Sequence, residues 1–266
     1  MIDYREGKTR YIANKLGSLY IDESKLSDNE RPVIYIGGQM EHRWHVLEQT
    51  GKTLDPGHNM FTGNWFYDYP INLTNKEIVN AKNFAANLEE ALDAADLNDV
   101  DFITHSFGGN VASLLTKNER IHKVYAVHPP ITGTPLANPK CLNNHRNLFD
   151  LKEKLELLIL KLVVNEKYGF EKDSYNGVNL NDIDLNKLVV IGSSLNPKVE
   201  KGSILDLYNW IKLETGYEND GVVVFDSNLF DNLGINYVKE DNHYNHFNSD
   251  TEYAFENAYK LSKKMR

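Results

Sequence analysis

A single cysteine, Cys141, stands in 266 residues. It excludes an intrachain disulfide and any metal centre built from several thiolates, and a buried, inert thiol is the expectation. Positive charge is also in deficit: Lys plus Arg number 29 against 38 Asp plus Glu, a net charge of −9. With no cluster of Lys and Arg to track a phosphate backbone, nucleic acid is not an expected partner. Long apolar runs are missing as well. None reaches the roughly 18 residues of a membrane-spanning helix, and the opening Met-Ile-Asp-Tyr-Arg-Glu-Gly-Lys lacks the apolar stretch of a signal peptide. A soluble, cytoplasmic protein without a transmembrane segment is therefore expected. There is no internal repeat or low-complexity tract, and the length suits one large α/β domain over residues 1–266 with room for an insertion.

What is present is a rhythm of short apolar runs and amphipathic stretches. Val33-Ile34-Tyr35-Ile36, Asn64 to Pro70, Val100 to Thr104, Lys123 to Val127, Leu188 to Gly192 and Ile235 to Lys239 are too short for helices and rich in β-branched or aromatic residues. Between them lie helix patterns. Thr74-x-x-Glu77 is a capping box that opens a helix to about Ala95, with Phe84, Leu88 and Leu92 on one face; others are expected from Ser106 through about Leu115, from Ile204 to Leu213 with Ser203 as cap, and from Asp250 to Lys263. Such alternation predicts a mostly parallel sheet with helices on both faces. Arg10 to Ile12 and Ser18 to Ile21 read as an antiparallel edge before it.

The chemistry centres on Val100 to Val111, Val-Asp-Phe-Ile-Thr-His-Ser-Phe-Gly-Gly-Asn-Val, a strand, a tight turn and a helix start. Ser106 with Gly108 and Gly109 behind it resembles the nucleophile elbow of α/β-hydrolases, whose pattern is small-x-Ser-x-Gly. Thr104 departs from that pattern, since a Gly is usual there. Two further segments carry the resemblance toward bacterial lipases and esterases: Gly133-Thr134-Pro135-Leu136-Ala137, which matches a loop bordering the acyl pocket, and Asn245-His246-Phe247, similar to their Asn-His-Leu. Asn219-Asp220-Gly221-Val222-Val223 stands where those enzymes hold the triad acid.

The resemblance implies an α/β-hydrolase fold and a triad of Ser106 as nucleophile, Asp220 as acid and His246 as base, in that family's chain order. It also implies an oxyanion hole from the N–H groups of Gly38, or Gln39 next to it, and Phe107. Each residue has a plainer reading: Ser106 as a helix N-cap, Asp220 as an Asn-Asp-Gly turn residue, His246 as a solvated loop histidine. His243 is a rival base. The pairs His42/His45 and His243/His246 have the spacing of metal ligands without a convincing third partner, and no metal or other cofactor is expected. Asn248 stands where some related lipases would need a carboxylate for calcium.

Residues 138–187 interrupt the rhythm and are expected to form a helical cap; Leu151, Leu155, Leu158 and Leu162 repeat at helical spacing within it. They serve equally well as a lid over the site or as the cap's anchor. The expected activity is hydrolysis of a small-molecule or lipid ester through an acyl-enzyme. A thioesterase or phospholipase with the same triad, and a hydrolase-fold binding protein without catalysis, remain alternatives. Neither the acyl length nor the oligomeric state is legible.

Overall fold

The computed structural model describes residues 2–6, 9–13, 16–22, 31–38, 59–63, 81–137, 177–240, 246 and 251–264. Among the described residues, nine strands form one sheet: β1 (Ile2–Glu6), β2 (Thr9–Ala13), β3 (Gly17–Asp22), β4 (Val33–Ile36), β5 (Asn59–Gly63), β6 (Val100–His105), β7 (Ile121–Val127), β8 (Leu188–Gly192) and β9 (Tyr237–Lys239). Their order across the sheet is β1-β2-β3-β5-β4-β6-β7-β8-β9. The pairings from β5 through β9 are all parallel, whereas β1, β2 and β3 pair antiparallel and join at β5. The predicted antiparallel edge is thus present. The expected strand Asn64 to Pro70, the start of the helix at Thr74, and residues 138–176 of the cap lie outside the described residues; the strand seen before that helix is β5.

Alternation along the strands sorts side chains into two layers, because successive residues of a strand point to opposite faces. Ile34 and Ile36 of β4 join Phe102, Val124, Ala126 and Val190 in one cluster with Phe84, Leu88 and Leu92 of helix α1 (Ala81–Ala95) and with Phe107 and Val111 of α2 (Phe107–Ser113). Val33 and Tyr35 join Ile103, Tyr125, Val127 and Ile191 under Ala254, Phe255 and Ala258 of the last helix. Strands β4 and β6 are buried throughout, as a sheet covered on both faces requires. Truncating Phe84 or Leu88, both with no exposed surface, to Ala is expected to cost about 2–5 kcal/mol.

The remaining helices are α3 (Ser203–Thr215), α4 (Ser227–Leu233) and α5 (Thr251–Lys264). In α3 the N-cap is Gly202, at φ 70°, rather than Ser203, which is already helical. Within 177–187 the chain makes two short 3-10 turns, Leu180–Asp182 and Leu185–Lys187, each opened by a side chain, Asn179 or Asp184, that accepts from the backbone two residues on. No helix among the described residues is long and apolar enough to cross a membrane.

Candidate active site

Parallel strands send their C-terminal ends to one edge of the sheet, and four of them meet here at reactive groups. Strand β6 ends at His105, and the chain turns into α2 through Ser106, whose φ of 50° and ψ of −127° fall outside the regions a non-glycine residue favours. The turn is held open by its neighbours. Ser106 N donates to Val127 O on β7 at 2.9 Å, and Gly109 N donates back to Ser106 O at 2.9 Å. Such a backbone costs on the order of 1–3 kcal/mol, and residues held this way gather at functional sites.

The two glycines behind Ser106 are required by contact. A methyl group on Gly108 would meet the Gly37 carbonyl oxygen and lie 2.7 Å from that of Ile36, so the end of β4 and the first turn of α2 abut backbone to backbone. Gly38 and Phe107, the expected oxyanion donors, are both buried in these abutting segments; Gln39 lies outside the described residues. At Gly109 a methyl would stand 2.6 Å from Pro129 Cβ and 3.3 Å from Thr104 Oγ1. The side chain at Thr104, fully buried, therefore fits because Gly109 supplies the space that a glycine at 104 would otherwise have given.

Asp220 sits in a turn that does two jobs. Its Oδ1 accepts from Val222 N at 2.9 Å and Val223 N at 2.8 Å, while Gly221, at φ 95°, and the side chain of Asn219 close the turn. That is the plain turn reading, and it is correct. The other oxygen, Oδ2, is left to face His246 Nδ1 at 2.8 Å. His246 N also donates to Asp220 O at 3.1 Å. The far ring nitrogen, Nε2, lies 2.9 Å from Ser106 Oγ, 140 residues away in the chain. Ser106, Asp220 and His246 are thus brought together; His243, the rival base, lies outside the described residues, as do His42 and His45.

Burial alone would raise the Asp220 carboxyl, but the charge of His246 and the hydrogen bonds from His128 and His246 outweigh it and hold the group well below the usual carboxylate range. His246 is shifted down: burial disfavours its charged form, and the pull of Asp220 recovers only part of that loss, with His105 and His128 adding to the depression. The result is an anionic acid beside a neutral imidazole, the state in which Nε2 can accept the proton of Ser106.

Comparison with known proteins identifies the fold. No protein-family model and no curated protein sequence matches the chain. Among solved structures it is similar to a candidate aryl esterase from Burkholderia cenocepacia, at TM-score 0.53 and 13% identity over 100% of this chain and 98% of that one. It is also similar to a hydrolase from Pseudomonas aeruginosa PA01, at TM-score 0.52 and 13% identity over 97% and 99%. The chain has the α/β-hydrolase fold. A candidate hydrolase from Bacillus subtilis shares it at TM-score 0.52 and 11% identity over 97% of this chain and 92% of that one. The loop after β7 is tied to its surroundings by two bonds: Thr134 Oγ1 donates to Val222 O beside Asp220, and Asn110 Nδ2 on α2 donates to Pro130 O at 3.0 Å.

One residue of the site was not singled out from the sequence. His128, at the end of β7, is fully buried with Nδ1 2.7 Å from Asp220 Oδ2. Its sequence signal is its position, the first residue past a strand beside the elbow strand, on the C-terminal edge of the parallel sheet. His128, Asp220 and His246 each offer a ligand atom within 4.8 Å of the others and are the cluster among the described residues able to hold a metal. The two nitrogens, however, crowd one carboxylate oxygen at 2.7 and 2.8 Å, contacts that hydrogen bonding satisfies.

Proposed function

We propose that this protein is a serine ester hydrolase that works through an acyl-enzyme. The observation that carries the reading is the continuous relay Ser106 Oγ–His246 Nε2–Asp220 Oδ2, with separations of 2.9 and 2.8 Å, built from three distant parts of the chain. Ser106 Oγ attacks the ester carbonyl carbon while its proton passes to His246 Nε2. Asp220 holds the imidazole with Nδ1 as donor and stabilises the imidazolium without taking the proton.

The tetrahedral oxyanion is received by the N–H groups of Gly38 and Phe107 at the junction of β4 and α2, each donor contributing about a hundred- to a thousandfold. As the carbon–oxygen bond breaks, His246 returns the proton to the departing alcohol. Water then enters, gives a proton to His246 and attacks the acyl carbon; the bond to Ser106 Oγ breaks as His246 returns that proton to Oγ, releasing the acid. This reading needs no cofactor. The substrate class is a carboxylic ester of a small molecule or lipid.

A fluorophosphonate probe, which esterifies an activated serine, tests it directly. Labelling of the native protein and its loss in Ser106→Ala are expected, together with hydrolysis of p-nitrophenyl butyrate that disappears in the same variant. A folded native protein that takes no label would place it among the non-catalytic binders. Thioester and phospholipid substrates tested beside the ester separate the remaining alternatives.

A further inference from the structure

We propose that His128 is a positioning residue for the triad acid, fixing the Asp220 carboxylate in the rotamer that faces His246. The inference rests on the ester hydrolase reading above and adds a fourth member to its relay. Three observations support it. The contact between His128 Nδ1 and Asp220 Oδ2 is 2.7 Å long between two fully buried groups. At that separation two lone pairs would repel, so the proton is assigned to His128 Nδ1, and Asp220 Oδ2 is held from the end of β7 as well as by His246.

The second observation is the cradle around the ring. A methyl group on Gly192, the last residue of β8, would lie 3.0 Å from His128 Cε1 and 3.1 Å from Nδ1, so the strand end stays bare where the imidazole packs. Phe225 and His246 close the other sides, with ring centroids 6.3 and 6.1 Å away. The third is the backbone. His128 holds φ 47°, with its N–H donated to Ile191 O at 2.9 Å, the second left-handed non-glycine residue on this edge after Ser106.

The consequence for chemistry has a definite sign. Among the described residues, the titratable groups around His128 are Asp220 and His246, with His105 one ring further at 5.1 Å from the His246 centroid. A donor that shares Oδ2 draws charge away from His246 and lowers its basicity. Removing that donor raises the pKa of His246, and the acid limb of kcat/KM moves to higher pH.

Two variants test this. His128→Asn tolerates the left-handed backbone and places its amide nitrogen near the position of Nδ1; His128→Gln keeps the polarity but puts its amide near the position of Nε2. With p-nitrophenyl butyrate, His128→Gln is expected to lose about 10- to 100-fold in kcat with KM within about twofold, and its acid limb to move up by roughly half a unit. His128→Asn should stay within about fivefold of the native kcat. Equal loss in both variants, or no loss in either, overturns the proposal. If the native protein takes no fluorophosphonate label and hydrolyses no ester, the proposed function fails, and the downfield N–H proton resonance of His246 still decides the role of His128. Its displacement in His128→Gln but not in His128→Asn supports the restraint, and an unchanged resonance in both removes it.

Discussion

The same pair of groups occurs at both ends of the central strands. At the opening of β6, Asp101 Oδ1 lies 2.8 Å from His122 Nδ1 on β7; at the far edge, Asp220 Oδ2 lies 2.8 Å from His246 Nδ1. Both carboxylates have no exposed surface. Asp101 lies near the start of β6 and Ser106 just past its end, so the pairs stand about 16 Å apart at ~3.3 Å per residue. Around Asp101 the partners are structural: Arg31 NH1 lies 3.7 Å from its second oxygen, and the Tyr125 hydroxyl is pushed up to about 12 by burial and by that negative charge. Among the described residues, no hydroxyl or thiol is hydrogen-bonded to the other ring nitrogen of His122. A buried Asp–His pair is therefore no site by itself; what distinguishes the other edge is a strained serine within reach of the second ring nitrogen and a helix beginning beside it.

Substitutions that treat the two pairs alike should expose the difference. The largest expected effect is at the relay: Ser106→Ala or His246→Ala should lower kcat by up to about a million-fold, while His122→Ala leaves kcat within a few fold in the same assay. Next come the acids. Asp220→Asn should cost about ten-thousandfold in kcat by imposing the wrong tautomer on His246. Asp101→Asn should instead leave kcat near native and lower unfolding stability by about 1.5–3 kcal/mol, measured in urea. A fall in activity for Asp101→Asn without loss of stability would erase the contrast.

The pH profile offers a smaller but signed effect. On the proposed mechanism His246 acts as a neutral base, and because burial lowers its pKa, kcat/KM should reach half its plateau below the ordinary histidine value of ~6.5. Stability should also fall as pH drops below ~6.5, since the unfolded chain takes up a proton there that buried His246 resists. A second decline follows below ~4, where the unfolded chain protonates its Asp220 carboxyl and the folded state, with its pKa depressed, does not. Asp220→Asn should shrink the second decline, leaving the part that Glu218, also held low, contributes. The smallest expected effect is none: EDTA should leave hydrolysis unchanged, and loss restored by zinc or calcium would turn the cluster of His128, Asp220 and His246 into a metal centre.

Much of this was legible in the sequence because the relevant signals are local. Strand Leu188–Gly192 begins and ends as its apolar run and closing glycine predict, and the elbow was visible as strand, serine and glycines. Asp220 and His246 were found through chain order and short motifs. What escaped depends on distance or on weak periodicity. Strand β1, Ile-Asp-Tyr-Arg-Glu, is an edge with too little apolar alternation to stand out, and it exists by pairing with β2. Helix α4 is two turns long, though Asp226, whose Oδ1 accepts from Leu229 N at 3.1 Å, is a readable cap. The role of His128 was illegible because nothing near it in sequence is charged to match; its partner arrives only when the acid loop folds over the end of β8.

The span between Ser106 and His246 has a consequence for the order of events in synthesis. The nucleophile leaves the ribosome 140 residues before its base, an interval of roughly 7–28 s at ~5–20 residues per second. The elbow, the acid turn and all nine described strands precede His246, so on the proposed mechanism a nascent chain that stops short of residue 246 lacks its base. The onset of hydrolysis in a translating extract would then time the arrival of His246 beside Ser106.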